Sequence, residues 1–455
     1  MKEPVILIFD IGKTNKKVLL FNTDLKVVHE EEEKFAPVKD EDGFECDNIE
    51  LIENWIRKTV SDLSHSEKFE LTGINFTTYG ATLVYLDAQG RRLTPVYNYL
   101  KPIDESIPRL IYERHGGLSE FCRRTASPAL GMLNSGNQVL WLKALKPGIF
   151  SKVKHILHLP QYLSYLLTDK ICSEHTSIGC HTALWDFDNM CYHPWVGEEA
   201  LNLPEPVPVD TVTEVRLHGK NLKVGIGIHD SSASLVPYLV AGTGKLVLVS
   251  TGTWCINMNP FNNEKLTSDQ LAKDCLCYLS ISRQPVKSSR LFMGHLHDTA
   301  VKMLSDYFKI NESSFSLIKP DLRLLNKLRG MFENDEIFVG KAGHSVMLKD
   351  DVDLFPFDNF IVGYHQLMIE LSDLAVDAIN LILPEADDIT KLYITGGFSK
   401  NLLFLKMIAS SFPEKKVFTS EISNASALGA ASVILSSIIG NPPPSPDLGL
   451  SAIEI

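Results

Sequence analysis

The chain has no surplus of positive charge. Its 455 residues carry 44 Lys and Arg against 56 Asp and Glu, a formal net charge of −12. Proteins that hold nucleic acid usually present a basic face, so no such partner is expected. Long apolar runs are also missing. No window approaches eighteen apolar residues, and no membrane span is expected. The apolar stretch of "MKEPVILIFD" is ended by Asp10 too early for a secretory leader. Cysteine is sparse and unpaired in pattern. The eight residues at 46, 122, 172, 180, 191, 255, 275 and 277 show no C-x2-C spacing. Even the Cys- and His-bearing stretch from Cys172 to His193 lacks the tight pairs that structural zinc needs. Reduced thiols and a cytoplasmic location are the expectation. The P-loop pattern G-x-x-x-x-G-K-[ST] is absent, as are the H-R-D and D-F-G motifs of protein kinases.

What is present is an alternation of strand-like and helix-like segments, which predicts an α/β chain of two or three domains. Two segments open alike. "VILIFDIGKTNKKVLLFN" is an apolar strand, a polar turn and a return strand, and "GKLVLVSTGTWCINMNP" from Gly244 repeats the design half a chain later. The glycine-rich break within Pro237–Lys245 marks a change of element and predicts domains at 1–240 and 241–455. "NIELIENWIRKTVSDL" has helical periodicity, with Asp47 or Asn48 available as its N-cap. The proline-rich "GNPPPSPDLGL" reads as an exposed terminal segment.

The turns carry the chemistry. Gly12 lets the backbone approach a ligand, Thr14 and Asn15 offer donors, and Lys13, Lys16 and Lys17 add positive charge. Asp10 beside those donors would repel a phosphate unless a divalent cation sat between them, and Mg²⁺ favours a carboxylate with phosphate oxygens. A plain surface hairpin with solvated lysines would look the same. Two further turns favour the polyphosphate reading. "STGTW" (Ser250–Trp254) follows a strand, and "TGGF" (Thr395–Phe398) stands where a helix would begin and its dipole would favour an anion.

In their order, "FDIGKTNKK", "GIHDSSASLVPYL", "STGTW", "YITGGFSKN" and "SNASALGAA" resemble the FGGY family of carbohydrate kinases, of the actin-like ATPase superfamily. The resemblance runs from Asp10 to about Ser432. It implies two ribonuclease-H-like domains with a cleft between them, an N-terminal one for sugar and a C-terminal one for nucleotide. It implies ATP and Mg²⁺, with Asp10 as metal ligand and Asp230 as general base. Gly12, Lys13, Thr14, Asn15, Thr251, Gly252, Thr253, Gly396, Gly397 and Asn401 would hold the polyphosphate and nucleotide, although Lys13 stands where the family usually has threonine. Ala425, Ala427 and Gly429 would leave room for the adenosine.

Thr77, Thr78, Tyr79, Asn98, Tyr99 and Gln138 are the candidates to meet sugar hydroxyls. The stretch "TTYGATLVYLD" is similar to kinases of rhamnulose, fuculose or xylulose. The expected activity is therefore ATP-dependent phosphorylation of a small sugar, a deoxyketose or pentulose, in a protein that is compatible with a homodimer. A nucleotide-dependent regulator on the same scaffold and a sugar-binding protein with altered catalysis are the alternatives. Asp230 in "HDSSAS" also reads as a helix N-cap.

Overall fold

A computed structural model describes residues 2–332, 336–342, 345–440 and 443–454. The chain forms two compact units. One comprises Met1–Gly242, Cys277–Pro285 and Ser423–Asp447; the other comprises Thr243–Leu276, Val286–Ile422 and Leu448–Ile455. Among the described residues no helix is long and apolar enough to cross a membrane.

The first unit is built on a sheet in which strands Val212–Leu217, Lys220–Gly225, Phe69–Thr78, Glu3–Ile11, Lys16–Asn22 and Val27–Glu33 lie side by side in that order. A short strand, Ile228–His229, also pairs with Phe69–Thr78. The Glu3–Ile11 strand is antiparallel to its hairpin partner and parallel to Phe69–Thr78. Both faces of the sheet are covered, which is why Val5–Phe9 reads as an unbroken apolar run rather than an alternation. Val5, Leu7, Phe9 and Ile11 pack with Ile52, Ile56 and Val60 of helix Ile49–Ser64. Asn48 caps that helix by accepting from Leu51 N, which leaves the Asp47 carboxylate for other partners.

The other face receives helix Ala425–Ile439. Asn75, in the Phe69–Thr78 strand, donates to Ala430 O at 2.8 Å and accepts from Gly227 N at 3.0 Å. This helix also lies against helix Asp230–Val240, and the contact explains its small residues differently from the expectation. A Cβ on Gly429 would stand 1.9 Å from Ala233 O. The meeting of two helix backbones accounts for Gly429, and the helix belongs to the first unit.

In the second unit strands Pro285–Leu291, Cys255–Asn259, Leu246–Thr251, Lys391–Gly396, Lys416–Thr419 and Ser451–Ala452 follow one another across a sheet. Leu246–Thr251 is antiparallel to Cys255–Asn259 and parallel to Lys391–Gly396, the arrangement that Glu3–Ile11 has with its two neighbours. The likeness of the two opening hairpins is therefore a likeness of sheets. The C-terminal stretch is not a free tail. Leu448 is buried and its carbonyl accepts from Ser420 Oγ at 2.7 Å, and Ser451–Ala452 pairs with Phe418–Thr419. Asn441 and Pro442 of this stretch lie outside the described residues.

The Gly429 contact sets a stability test. Gly429→Ala should lose about 1–3 kcal/mol in urea unfolding, the usual cost of overpacking. The control Gly197→Ala, at an exposed site with open space around its Cβ, should lose nothing. Equal behaviour of the two variants would contradict the close helix contact.

Candidate active site

Parallel pairing gathers the first unit's candidates at one sheet edge. Asp10 lies opposite Thr77 in register, Ile228 opposite Thr77 and His229 opposite Thr78. Tyr79 N donates to Ile11 O at 3.1 Å, extending the pairing past the strand end. The carboxyl ends of three strands thus present Asp10, Thr78, Tyr79 and Asp230 together. Asp10 accepts from Ser426 Oγ at 2.9 Å. Burial pushes its carboxyl up to about 6; Ser426 and Lys17 oppose that rise, while Asp230 and Glu30 add to it. The hairpin turn that follows is tight, since a Cβ on Gly12 would stand 2.9 Å from Asn15 O, and it leaves Thr14 and Asn15 exposed.

Asp230 is the first residue of helix Asp230–Val240, whose N-cap is His229. Its carboxylate is therefore not the cap that "HDSSAS" suggested. Oδ1 accepts from Ser231 N at 2.6 Å and lies 3.3 Å from His229 Nε2. Nε2 is thus the His229 nitrogen that faces the carboxylate. Burial lowers the His229 pKa, with Asp230 opposing. Oδ2 of Asp230 has no partner among the described residues and is the free end of the group.

Sequence reasoning missed a support behind this turn. Glu174, fully buried, accepts from Thr176 N at 2.8 Å, Thr176 Oγ1 at 2.5 Å and Ser177 N at 3.2 Å. Thr176 Oγ1 in turn accepts from His229 N at 3.1 Å. The chain of bonds fixes the backbone immediately before Asp230. Its only sequence signal was an acidic residue followed by hydroxyls in "SEHTS".

Lys13 is partly exposed, and its ammonium is held by neighbours. Its ammonium lies 2.7 Å from Asp47 Oδ2, 5.0 Å from the centre of the Tyr79 ring and 5.4 Å from that of Tyr99. Asp47 also accepts from Tyr79 OH at 2.7 Å and from Lys16 Nζ at 2.9 Å. Burial would raise the Asp47 carboxyl, but Lys13, Tyr79 and Lys16 outweigh it and hold the group below the usual range. Burial, Asp230 and Asp47 raise the Tyr99 phenol. Lys17 instead pairs with Glu30 at 2.8 Å. Asp47 is an addition to the expected set, and Tyr99 is one of the candidates named from the sequence. The "DN" before the helix held the clue, because one residue caps and the other is left over.

Three other candidates sit in the same unit and make hydrogen bonds within it, while Gln138 Oε1 has no partner among the described residues. Thr78 Oγ1 donates to Tyr79 O at 2.8 Å. Asn98 donates to Glu45 O and accepts from Leu100 N, each at 3.0 Å. Gln138 is fully buried, and its Nε2 donates to Ala81 O at 2.5 Å and Met132 O at 2.8 Å. Asn98 and Gln138 hold loops in place in this structure.

The second unit brings the other two turns together by the same device. Thr251 lies opposite Gly396 in the parallel register. Thr251 Oγ1 donates to Thr395 O at 2.5 Å and accepts from Phe398 N at 3.0 Å, so this hydroxyl ties one turn to the other. Gly396 has φ +86°, and a Cβ there would stand 1.7 Å from Thr251 O. Only glycine fits both the conformation and the approach. Gly252, Thr253, Gly396 and Gly397 are exposed, and the space around a Cβ on Gly397 is open. Gly294, in helix Met293–Phe308, brings that helix onto the turn: its N donates to Thr253 O at 3.1 Å.

The expected helix at "TGGF" begins later. Gly397–Lys400 is a 3-10 turn, and Asn401 caps helix Leu402–Ser411 by accepting from Leu403 N and Phe404 N. Asn401 also donates to Tyr364 OH at 2.8 Å. His297 is a packing histidine, buried among Phe315, Tyr364 and Phe398.

Residues 5–201 match the FGGY family of carbohydrate kinases, N-terminal domain, and residues 243–314 match the carbohydrate kinase FGGY, C-terminal domain. A rhamnulokinase of Yersinia pestis (strain Pestoides F) is 27% identical over 230 residues, 48% of this chain and 46% of the relative. A rhamnulokinase of Halalkalibacterium halodurans is 24% identical over 265 residues, 55% of each. The chain thus spans about half the length of the curated relatives it matches. Among solved structures, a carbohydrate kinase from Novosphingobium aromaticivorans superposes with a TM-score of 0.80 at 23% identity, over 100% of this chain and 95% of the other. A ligand-bound xylulose kinase from Lactobacillus acidophilus does so with 0.74 at 15%, over 99% and 93%. A Plasmodium falciparum glycerol kinase with ADP gives 0.70 at 14%, over 98% and 94%. These likenesses establish a mixed α/β fold with two sheet-containing domains. With an N-terminal and a C-terminal family domain matched in order over residues 5–201 and 243–314, the chain belongs to the FGGY family of carbohydrate kinases.

Proposed function

We propose that the protein transfers the γ-phosphoryl group of ATP to a hydroxyl of a small ketose, a deoxyketose or pentulose, with Asp230 as general base. The observation that carries this reading is the sheet edge where Asp10, Tyr79 and Asp230 meet. The rhamnulokinase relatives and the xylulose kinase neighbours support the sugar class. In this reading the first unit takes the sugar and the second the nucleotide. The backbone of the Gly12–Asn15 turn, with Thr14, and the turns at Gly252–Thr253 and Gly396–Gly397 hold phosphate oxygens. Thr251 and Asn401 keep the latter two turns in shape.

The sugar hydroxyl is a weak nucleophile at neutral pH. As its oxygen bonds to the γ-phosphorus, its proton passes to Asp230 Oδ2, and ADP departs with the bridging oxygen. His229 orients the acceptor carboxylate through Oδ1, and the Glu174–Thr176 bonds hold His229. The donor set also fits a cation. Asp10 is an oxygen ligand whose buried charge lacks a full counter-charge, and Mg²⁺ bound there would offset repulsion between phosphate and carboxylate. Asp230→Asn should lower kcat by about 10²–10⁴-fold in a coupled ADP-release assay. The affinity for MgATP should stay within about twofold. A variant that keeps most of its turnover at saturating substrates would remove Asp230 from the role of base.

The charge on Asp10 makes a separate prediction. Its folded pKa of about 6 exceeds the ~3.9 of an unfolded aspartate. Between these values the folded chain binds more protons than the unfolded one, so stability falls as pH rises, and the full cost is present above about 6. Asp10→Asn removes the cost. Without ligands it should raise the thermal midpoint at pH 8, by on the order of 1–3 kcal/mol of stability, and by much less at pH 4.5. A shift of the same size at both pH values would contradict the assignment.

A further inference from the structure

Lys13 sits in the turn assigned to phosphate, yet its side chain leaves that turn. The ammonium is clasped by Asp47 at 2.7 Å and stands over two phenol rings, Tyr79 at 5.0 Å and Tyr99 at 5.4 Å. Within the cluster it is the group open to solvent: the side chain of Lys13 is 29% exposed, against 12% for Asp47 and 4% for Lys16. An ammonium has three donors and no acceptor, and Asp47 takes one of them. The others are held in a fixed place by the ion pair and the rings, so they lose little freedom on binding a ligand. Tyr99 lies within the electrostatic reach of Asp230. Tyr79 follows Thr78, which lies opposite His229 in the parallel register, so the Tyr79 ring and the ammonium over it belong to the sheet end that carries Asp230.

Charge decides what this space accepts. Lys13 and Lys16 carry two positive charges, against the carboxylates of Asp47, Asp230 and, above its pKa of about 6, Asp10. No positive charge is in excess before any ligand arrives. A carboxylated sugar would bring an anion toward Asp230 with no lysine left unpaired, whereas a neutral sugar brings hydroxyl oxygens for the ammonium and C–H faces for the rings.

We propose that Lys13 contacts the acceptor rather than the polyphosphate, as a specificity-determining donor to hydroxyl oxygens of an uncharged sugar, and that the site discriminates against sugar acids. The proposal rests on the kinase reading and assigns to this chain's own lysine the acceptor side of that site. Lys13 differs in this from the turn around it, whose backbone and Thr14 face phosphate.

The experiment measures initial rates of ADP release with the full chain, wild type and the variants Lys13→Met and Lys13→Arg. The acceptors are neutral ketoses and aldoses and the matching aldonates. Wild type should phosphorylate neutral sugars with at least tenfold higher kcat/KM than aldonates. Lys13→Met should raise the KM of the neutral sugar about tenfold or more and leave the KM of MgATP within about twofold; Lys13→Arg should recover much of the loss. Thermal midpoints equal to wild type would show that the variants fold. A rise in the KM of MgATP with an unchanged sugar KM would overturn the proposal and make Lys13 a phosphate ligand, with the kinase reading intact. A preference of the wild type for aldonates would overturn it as well. ADP release that no acceptor stimulates would overturn the kinase reading, and the proposal with it.

Discussion

The parallel register between Glu3–Ile11 and Phe69–Thr78 is the constraint on which the first unit depends. Side chains alternate along a strand, so a slip of one residue would turn Asp10 into the sheet's other face and carry Tyr79 away from Ile11. The register is secured by burial on both faces, with helix Ile49–Ser64 on one side and helix Ala425–Ile439 on the other. The second helix does more than cover the sheet. Ser426 in its first turn reaches Asp10, and Gly429 one turn on brings it against the helix that begins at Asp230. The same packed element thus braces both carboxylates.

The second unit repeats the device with different residues. A parallel pair places Thr251 opposite Gly396, and one hydroxyl links the two turns. The common logic is that strand ends, unlike loops, are held by the whole sheet. Small exposed residues at those ends then leave backbone donors accessible without loss of position.

Much of this was legible in the sequence because it is local. The apolar run before Asp10, the glycine turn and the return strand announce a hairpin, and the "STGTW" and "TGGF" turns announce two more strand ends. What could not be read is pairing over distance. Nothing near Lys13 indicates that its ammonium would find Asp47, 34 positions away, between two tyrosines. Asn401 shows a second limit. An asparagine before "LLFLKM" is a normal helix cap, and the cap alone says nothing about a ligand. Gly429 shows a third, since a small residue signals a close approach and does not say whether a ligand or a backbone makes it. Most of the described proline-rich stretch is exposed, as its composition suggests, but composition says nothing about the buried Leu448 or about Ser451 and Ala452 beyond it, which return to a sheet edge.

The account stands on the arrival of a sugar hydroxyl beside Asp230 as the fate of the γ-phosphoryl group. Phosphorus NMR of the protein with MgATP and a set of neutral ketoses follows that fate directly. The account predicts a phosphate-ester resonance that grows one for one with ADP and appears only with an accepted sugar. Inorganic phosphate forming at the same rate with every sugar and with none, and no ester in any sample, would contradict it.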